Sequence, residues 1–247
     1  MIKKISVVLV LGLIGVSLWF LLTPSNMSDK TEIYLVTESR FILNEENESL
    51  KIHYFAKTEE YNLFSEDDII YLHNEDETIK FIVELIEIKS FHNEMLLDEI
   101  FYGYEVLLTL PSITDCYYID ACYVSFDHND RTYRFFIGEL YVEYQQVIHN
   151  LPFQGLEGIK SDTPKLSQII VNITDDVDIS EMWIGPYDIS FFMADDLLVC
   201  NLPEMTYLFW DTYVKIVTND GVFYLPQFSY FINYELLSFG IFERYVI

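Results

Sequence analysis

The residues best suited to chemistry in this chain are carboxylates, which cluster in short polar segments between apolar runs. One such cluster contains Asp175, Asp176 and Asp178, and Asp127 and Asp130 belong to a second one. Hard cations such as Ca²⁺ bind several oxygen ligands supplied by a turn of this kind. Neither cluster matches the D-x-[DN]-x-[DN]-G loop of an EF-hand, so a solvated acidic turn is the alternative. We predict that any calcium site lies at Asp175, Asp176 and Asp178, and we expect no other cofactor.

The histidines, serines and cysteines form no recognisable catalytic or zinc-binding motif. The five histidines are scattered singly, without an H-E-x-x-H or His-x-His pair, and no G-x-S-x-G elbow is present. Cys116, Cys122 and Cys200 lie in apolar, strand-like surroundings, where burial would raise the pKa of a thiol. An odd number of cysteines leaves at least one unpaired within the chain. We therefore expect buried free thiols and no catalytic residues.

A pair of carboxylates facing each other across a sugar-binding cleft would indicate a glycosidase. The chain has 40 acidic residues, so its sequence alone does not select such a pair. Tryptophan close to an acid is the pattern nearest to a sugar site, and it occurs at Glu181 and Trp183 and at Trp210 and Asp211. Because tryptophan is more often buried in a core, we treat an enzyme acting on polysaccharide as the alternative to a non-catalytic protein.

The charge balance excludes one class of partner. The 40 acidic residues outnumber the 14 basic ones and give a formal net charge of −26. Affinity for nucleic acid comes largely from Lys and Arg side chains that neutralise phosphates, so we expect no DNA or RNA partner. The same charge is compatible with cationic partners, divalent metal ions or simple solubility.

An uncharged apolar segment precedes the acidic part of the chain. Residues 5–22 contain no charged side chain, and as a helix they would span roughly 27 Å, about the thickness of a hydrocarbon core. Lys3 and Lys4 precede this segment, and the next basic residue is Lys30, so the positive-inside rule predicts a cytoplasmic N-terminus. The bulky end of the segment lacks a small-x-small cleavage site. We predict an uncleaved single-pass anchor over residues 1–24, with a cleaved signal peptide as the alternative.

The rest of the chain predicts strands. Apolar and polar residues alternate with a period of two, and β-branched and aromatic residues are frequent, as in residues 78–88, 132–144 and 212–217. Polar clusters between these segments predict turns. Residues 59–68 and 93–101 are ambiguous, because each is also compatible with a turn or two of helix.

Two segments that lie 90 positions apart resemble each other. Residues 123–144 and 213–234 are identical at five of 22 positions, and each contains a strand, an Asn-Asp turn and a second aromatic strand. A period of about 90 residues suits one sandwich of immunoglobulin-like size. We predict an all-β fold: an N-terminal transmembrane helix followed by one or two antiparallel β-sandwich domains, Ig-like in shape. The predicted domains are 29–146 and 163–247, the latter a possible repeat of the former, joined by a linker over 147–162.

These features together predict a protein of the cell membrane whose C-terminal domain lies outside the cytoplasm. We expect it to be non-catalytic and to bind another envelope or surface protein through edge strands or inter-strand loops, including by strand addition. Two alternatives stay open: an exported enzyme acting on cell-envelope polysaccharide, and a calcium-stiffened surface spacer. The sequence predicts no particular oligomeric state.

Overall fold

The chain was analysed as a computed structural model, which describes residues 31–44, 49–59, 61–110, 114–128, 131–145, 149–160, 165–174, 177–203, 207, 212–228 and 235–247. The side chains at 44 and 226–228 are also outside this description. Within the described ranges the chain forms strands, turns and irregular segments, with no helix. The prediction of an all-β protein is therefore confirmed. The predicted anchor, residues 1–24, lies outside the described residues, and no helix in the described part is long and apolar enough to cross a membrane.

Nineteen strands are present in the described ranges. The first ten are β1 (Glu32–Val36), β2 (Glu38–Asn44), β3 (Ser49–Ala56), β4 (Ile70–His73), β5 (Lys80–Val83), β6 (Leu85–Ser90), β7 (Glu94–Leu96), β8 (Glu99–Thr109), β9 (Tyr117–His128) and β10 (Arg131–Tyr144). The others are β11 (Phe153–Lys160), β12 (Leu166–Ile173), β13 (Ile179–Ile184), β14 (Tyr187–Asp188), β15 (Phe191–Ala194), β16 (Leu197–Asn201), β17 (Thr212–Thr218), β18 (Gly221–Phe228) and β19 (Phe242–Val246).

The possible helix over residues 93–101 is wrong. Glu94–Leu96 and Glu99–Thr109 pair instead as the antiparallel β7–β8 hairpin. Residues 61–69 contain turns and irregular segments. Here the Ser65 N–H donates to Asp68 Oδ2 at 2.7 Å, and the Asp68 N–H donates to the Ser65 carbonyl at 3.1 Å. These two bonds close a single turn, and no helix follows it in the described residues.

Two sheets enclose the first hydrophobic core. One has the strand order β19-β1-β3-β8-β6, with β7 pairing with β8, and the other has the order β2-β10-β9-β4-β5. Alternate residues along these strands point inward, as the period-two pattern predicts. The core contains buried side chains of both sheets, including Leu35, Ile52 and Val106 from the first and Val124 and Ile137 from the second.

Two smaller sheets enclose a second core. Their strand orders are β11-β12-β16-β15 and β14-β13-β17-β18. Buried side chains from both sheets meet between them, including Ile169, Leu198, Met182 and Ile216. Phe41, which lies on β2, also packs into this second core. Glu32–Ile247 accordingly form one compact unit.

The expectation of purely antiparallel sheets is wrong at one place. β1 and β2 are separated only by Thr37, yet β1 belongs to one sheet of the first core and β2 to the other. β2 pairs with β10 in parallel, from Glu38 opposite Gly138 to Asn44 opposite Tyr144. The single residue Thr37 is therefore enough to carry the chain from one sheet to the other.

The predicted linker and the end of the predicted second domain both contain strands that pair with other strands. β11 lies within the segment predicted as a linker and pairs with β12. β19, at the end of the predicted second domain, pairs with β1 of the first, with Glu32 opposite Val246. The two similar segments found in the sequence both contain antiparallel hairpins, β9–β10 and β17–β18.

Gly138→Ala should destabilise the fold strongly. Gly138 has φ +103°, and a Cβ there would overlap the backbone of Glu38 on β2, so alanine would strain the backbone and separate the parallel pair. We expect a loss of about 2–4 kcal/mol in the free energy of unfolding, measured by urea denaturation. Gly155→Ala is the control, because no atom of the described residues lies within 4 Å of a Cβ built there. Equal stability of the two variants would contradict the proposed role of this close approach.

Candidate functional site

One outer sheet surface combines aromatic and cationic side chains. On β9 and β10 the residues Val124 and Phe135 point into the core, so their neighbours Tyr123, Arg134 and Phe136 face outward. We name the aromatic face by its six residues on this side of the β2-β10-β9-β4-β5 sheet and beside it: Tyr71, Lys80, Tyr123, Arg134, Phe136 and Tyr207.

Ring contacts hold the aromatic face together. The Arg134 guanidinium carbon lies 4.1 Å from the ring centroid of Tyr123, and the Lys80 ammonium lies 4.4 Å from that of Tyr71. The rings of Tyr123 and Phe136 are 5.4 Å apart, and Tyr207 extends the row at 5.8 Å from Phe136. Such cation–π and aromatic contacts orient the side chains before any partner arrives.

His73 lies beside Tyr123 on the same side of the sheet. Its ring is fully buried, stacks on Tyr123 at 5.8 Å and lies 2.7 Å through Nδ1 from the carbonyl oxygen of Asn74. Because a carbonyl only accepts hydrogen bonds, Nδ1 carries a proton and donates it. The second ring nitrogen, Nε2, lies 3.0 Å from the Ser125 hydroxyl. A side chain held at both nitrogens is a positioning element for Tyr123.

The aromatic face is chemically distinct from the rest of this acidic chain. Arg134 and Lys80 are exposed there, although only 14 basic residues occur in the whole sequence. The four aromatic side chains are half-buried, so their rings are fixed at one side and open at the other. Tyrosine, phenylalanine and arginine are enriched at protein interfaces, where they account for much of the binding energy.

A second group of charged residues connects β2 to β3 and β8. His53 is buried between two carboxylates, with Nδ1 2.8 Å from Glu38 Oε1 and Nε2 3.2 Å from Glu105 Oε2. Glu38 also pairs with Arg40 at 2.8 Å. Burial opposes protonation of His53, but the charge of Glu38 and the hydrogen bonds to Glu105 and Glu38 outweigh it and raise the pKa of His53 to about 9. His53 is therefore a buried cation at neutral pH.

Two buried glutamates on β10 are occupied by hydrogen-bond donors. Glu143 accepts from the Lys215 ammonium at 2.6 Å and from the Tyr224 hydroxyl at 3.0 Å. Glu139 accepts from the hydroxyls of Tyr187 at 2.8 Å and Tyr118 at 3.0 Å, and from Ser39. Burial and then the charge of Glu143 raise the pKa of Tyr224. These carboxylates connect strands of the two cores.

The predicted calcium ligands are only partly described. Asp175 and Asp176 lie outside the described residues, and Asp178 is exposed and accepts a hydrogen bond from Asn219 Nδ2 at 2.7 Å. Asp127, of the second acidic cluster, accepts from the Thr132 hydroxyl at 2.6 Å. Among the residues with described positions, no group of three or more His, Cys, Asp or Glu side chains could hold a metal ion. Calcium binding at residues 175–178 stays a prediction.

The cysteines differ in exposure. Cys122 and Cys200 are buried free thiols, as expected, and burial raises the pKa of each to about 12. The expectation is wrong for Cys116, which is free but exposed because it precedes β9 and lies outside the sheet.

A shallow hollow contains one of the two predicted tryptophan–acid pairs. It has a volume of about 390 Å³ and is lined by Ser180, Glu181, Trp183, Asp188, Ser190 and Phe191. The Trp183 indole N–H donates to Glu181 Oε2 at 3.2 Å, so ring and carboxylate lie on the same surface. Trp210 and Asp211 are outside the described residues. The arrangement provides a stacking ring beside polar groups, which is the chemistry that a sugar requires.

No protein-family model matches the chain, and no curated protein matches it in sequence. The aromatic face must therefore be judged on its own geometry. Sequence reasoning missed it because aromatic residues make up 17% of the chain and do not by themselves mark one surface. The sequence did contain one signal: Tyr123 and Phe136 are aromatic residues at alternate positions where the solvent side of a strand usually has polar residues.

His53→Gln should remove a pH-dependent part of the stability. The pKa of His53 is about 9 in the fold and about 6.5 when unfolded, so its contribution is complete below about pH 6.5 and is lost as the pH rises to about 9. The difference in unfolding free energy between wild type and variant should shrink by about 3 kcal/mol over this interval, measured by urea denaturation. Glu105→Gln should show a smaller effect of the same sign. Parallel curves for wild type and His53→Gln would contradict the charged state.

Proposed function

We propose that this protein is a membrane-anchored, non-catalytic binding protein that recognises another envelope or surface protein outside the cytoplasm. The aromatic face is the observation that carries the proposal. Its rings are pre-oriented by contacts with Arg134 and Lys80, so few side chains must be ordered on binding. The complementary surface would offer apolar area to the rings and a carboxylate to Arg134, since Lys80 is already paired with Glu77 at 2.7 Å.

The face replaces edge strands as the proposed contact surface. Tyr123, Phe136 and Tyr207 form a continuous row in the described structure. Ring area held on one side by a rigid sheet suits hot-spot contacts, in which a few aromatic and Arg side chains dominate affinity. Strand addition would instead use backbone groups, which this row does not expose.

We propose that the supporting scaffold is two tandem Ig-like sandwiches behind the anchor. The strand orders support this. In the first sheet pair, β1-β3-β8-β6 faces β2-β10-β9-β4-β5, and in the second, β11-β12-β16-β15 faces β14-β13-β17-β18. Taken in chain order, both pairs follow the ABED and CFG arrangement of immunoglobulin sandwiches, with extra strands at the edges. The β9–β10 and β17–β18 hairpins occupy equivalent positions in that order, which supports the internal repeat.

The location is proposed from the sequence. The apolar residues 5–22, with Lys3 and Lys4 before them, support an anchor with a cytoplasmic N-terminus and the remaining chain outside. A short tether then holds the binding domain close to the membrane surface. Partners in the same membrane or in the adjoining envelope layer would be within its reach.

Arg134→Glu should weaken partner binding without unfolding the protein. Arg134 is exposed, so reversing its charge removes a contact to the partner and adds repulsion from the proposed carboxylate. With a photo-crosslinking residue at Phe136 of the full-length protein in its own membranes, we expect adduct yield to fall about tenfold, equivalent to about 1.4 kcal/mol.

Lys89→Glu is the matched control for this experiment. It makes the same charge change on the sheet that lies across the core, where Lys89 is about half exposed beside Glu87. Adduct yield should stay at the wild-type level. If both variants crosslink equally well, or if Phe136 yields no saturable adduct, the aromatic face is not the contact surface.

A second candidate function is sugar binding at the Trp183 hollow, as part of an exported enzyme acting on envelope polysaccharide. The observation that favours it is the common position of Trp183, Glu181 and Asp188 around one depression. Trp183→Ala should abolish retention of the full-length protein on purified cell-wall glycan, whereas Trp183→Phe should keep part of it because phenylalanine still stacks. Retention that is equal for all three proteins would exclude this site.

A further inference from the structure

The β7–β8 hairpin ends in exposed apolar side chains. Leu97, at the turn, is 90% exposed, and Met95 and Ile100, which face each other across the two strands, are 61% and 55% exposed. Three large apolar side chains at one protruding tip are unusual on an acidic surface, because each gains from being removed from water. We name Met95, Leu97 and Ile100 the apolar tip.

The residue types in this turn do not suit its backbone conformation. Leu97 and Asp98 have φ of +52° and +64°, the left-handed region that two-residue hairpin turns require. Asn and Gly adopt this conformation readily, whereas leucine does so at a cost. A leucine that is both strained and exposed has no stabilising role within the chain. Its side chain is therefore available for something outside it.

The apolar tip lies at the end of the sheet where the chain arrives from its N-terminal segment. β1 and β8 are both antiparallel to β3, so they run in the same direction, and Ile33, Ala56 and Tyr102 lie in one row. β8 begins three residues before Tyr102, so the hairpin extends about 10 Å past this row. Lys57 confirms the proximity, since its ammonium lies 3.3 Å from Glu32 and 2.6 Å from Glu99.

The base of the hairpin is firmly held. Glu94 is buried, and its carboxylate accepts hydrogen bonds from the backbone N–H groups of Leu236 at 2.8 Å and Leu237 at 2.7 Å. The His92 ring lies 2.8 Å away through Nε2. Leu96 packs against the cluster that contains Leu236 and Leu237. The tip is thus presented in a fixed direction.

We propose that the apolar tip inserts into the outer leaflet of the membrane that holds the anchor. This inference rests on the proposed anchor, since residues 25–31 separate it from β1 and span at most about 25 Å when fully extended. The tip therefore points from the end of the domain that is tethered to the bilayer. Glu99 is paired with Lys57 at 2.6 Å, so one of the two carboxylates beside the tip already has a cationic partner.

Spin-label accessibility in reconstituted full-length protein tests the insertion. A nitroxide at Leu97→Cys in phosphatidylcholine vesicles should collide more often with dissolved oxygen than with a water-soluble nickel chelate. Cys116→Ser provides the background, because Cys116 is the exposed thiol and Cys122 and Cys200 are buried. A label at Ile82→Cys, which is 67% exposed on β5, should favour the nickel chelate severalfold as an aqueous control. A label at Leu13→Cys reports the anchor itself.

The outcomes separate the two proposals. If the label at 97 favours nickel while the label at 13 favours oxygen, the insertion is wrong and the anchor stands. If both labels favour nickel, the anchor proposal fails. A label at 97 that is inaccessible to both reagents would mean that protein covers the tip, which overturns the insertion.

A second variant distinguishes a membrane contact of Leu97 from a purely structural role of the turn. Leu97→Asn suits the left-handed backbone, so the fold should be at least as stable by thermal unfolding. A label at Ile100→Cys should nevertheless move from the oxygen-accessible to the nickel-accessible environment in this variant. An unchanged environment at position 100 would show that Leu97 makes no membrane contact.

Discussion

The parallel pairing of β2 with β10 is the constraint on which the rest of the structure depends. β2 is buried on both sides, so its alternating side chains serve two different cores. Glu38, Arg40 and Ile42 face the first core and its charged group, whereas Phe41 packs into the second core and Leu43 packs against Tyr213 and Tyr224. A single strand therefore fixes both sheet pairs, and Gly138 permits this because it has no side chain between β2 and β10.

Buried charge is the consequence of this two-sided position. A strand with a core on each face has no solvent side for its polar residues, so Glu38 and Arg40 must find partners inside. Arg40 donates to the carbonyls of Lys51 and Ile137, and Glu38 binds His53. Replacing such groups by apolar ones is often neutral for stability. In β2 these groups connect the strand to Lys51, Ile137 and His53, so they help to hold it in its observed register.

The sequence was sufficient to predict individual strands and insufficient to predict which strands pair. Period-two alternation identified β9, β10 and β17, and the Asn-Asp turn at residues 219–220 lies between β17 and β18. The same alternation cannot identify a neighbouring strand, so the parallel β2–β10 pair and the return of β19 to β1 were not predicted. Both depend on contacts between residues about 100 or more positions apart in sequence. The helix considered for residues 93–101 failed for a related reason, because its apolar residues serve a hairpin whose turn is unfavourable for leucine.

The two proposed contacts use opposite sheets of the first pair. The aromatic face belongs to the sheet of β9 and β10, and the apolar tip extends from the sheet of β8. Insertion of the tip would bury only one end of its own sheet in the membrane and leave Tyr123 and Phe136 accessible to a partner. It would also replace a single tether by two points of attachment, which restricts rotation of the domain about residues 25–31. A binding face with a restricted orientation is ordered before its partner arrives, so less freedom is lost in forming the complex.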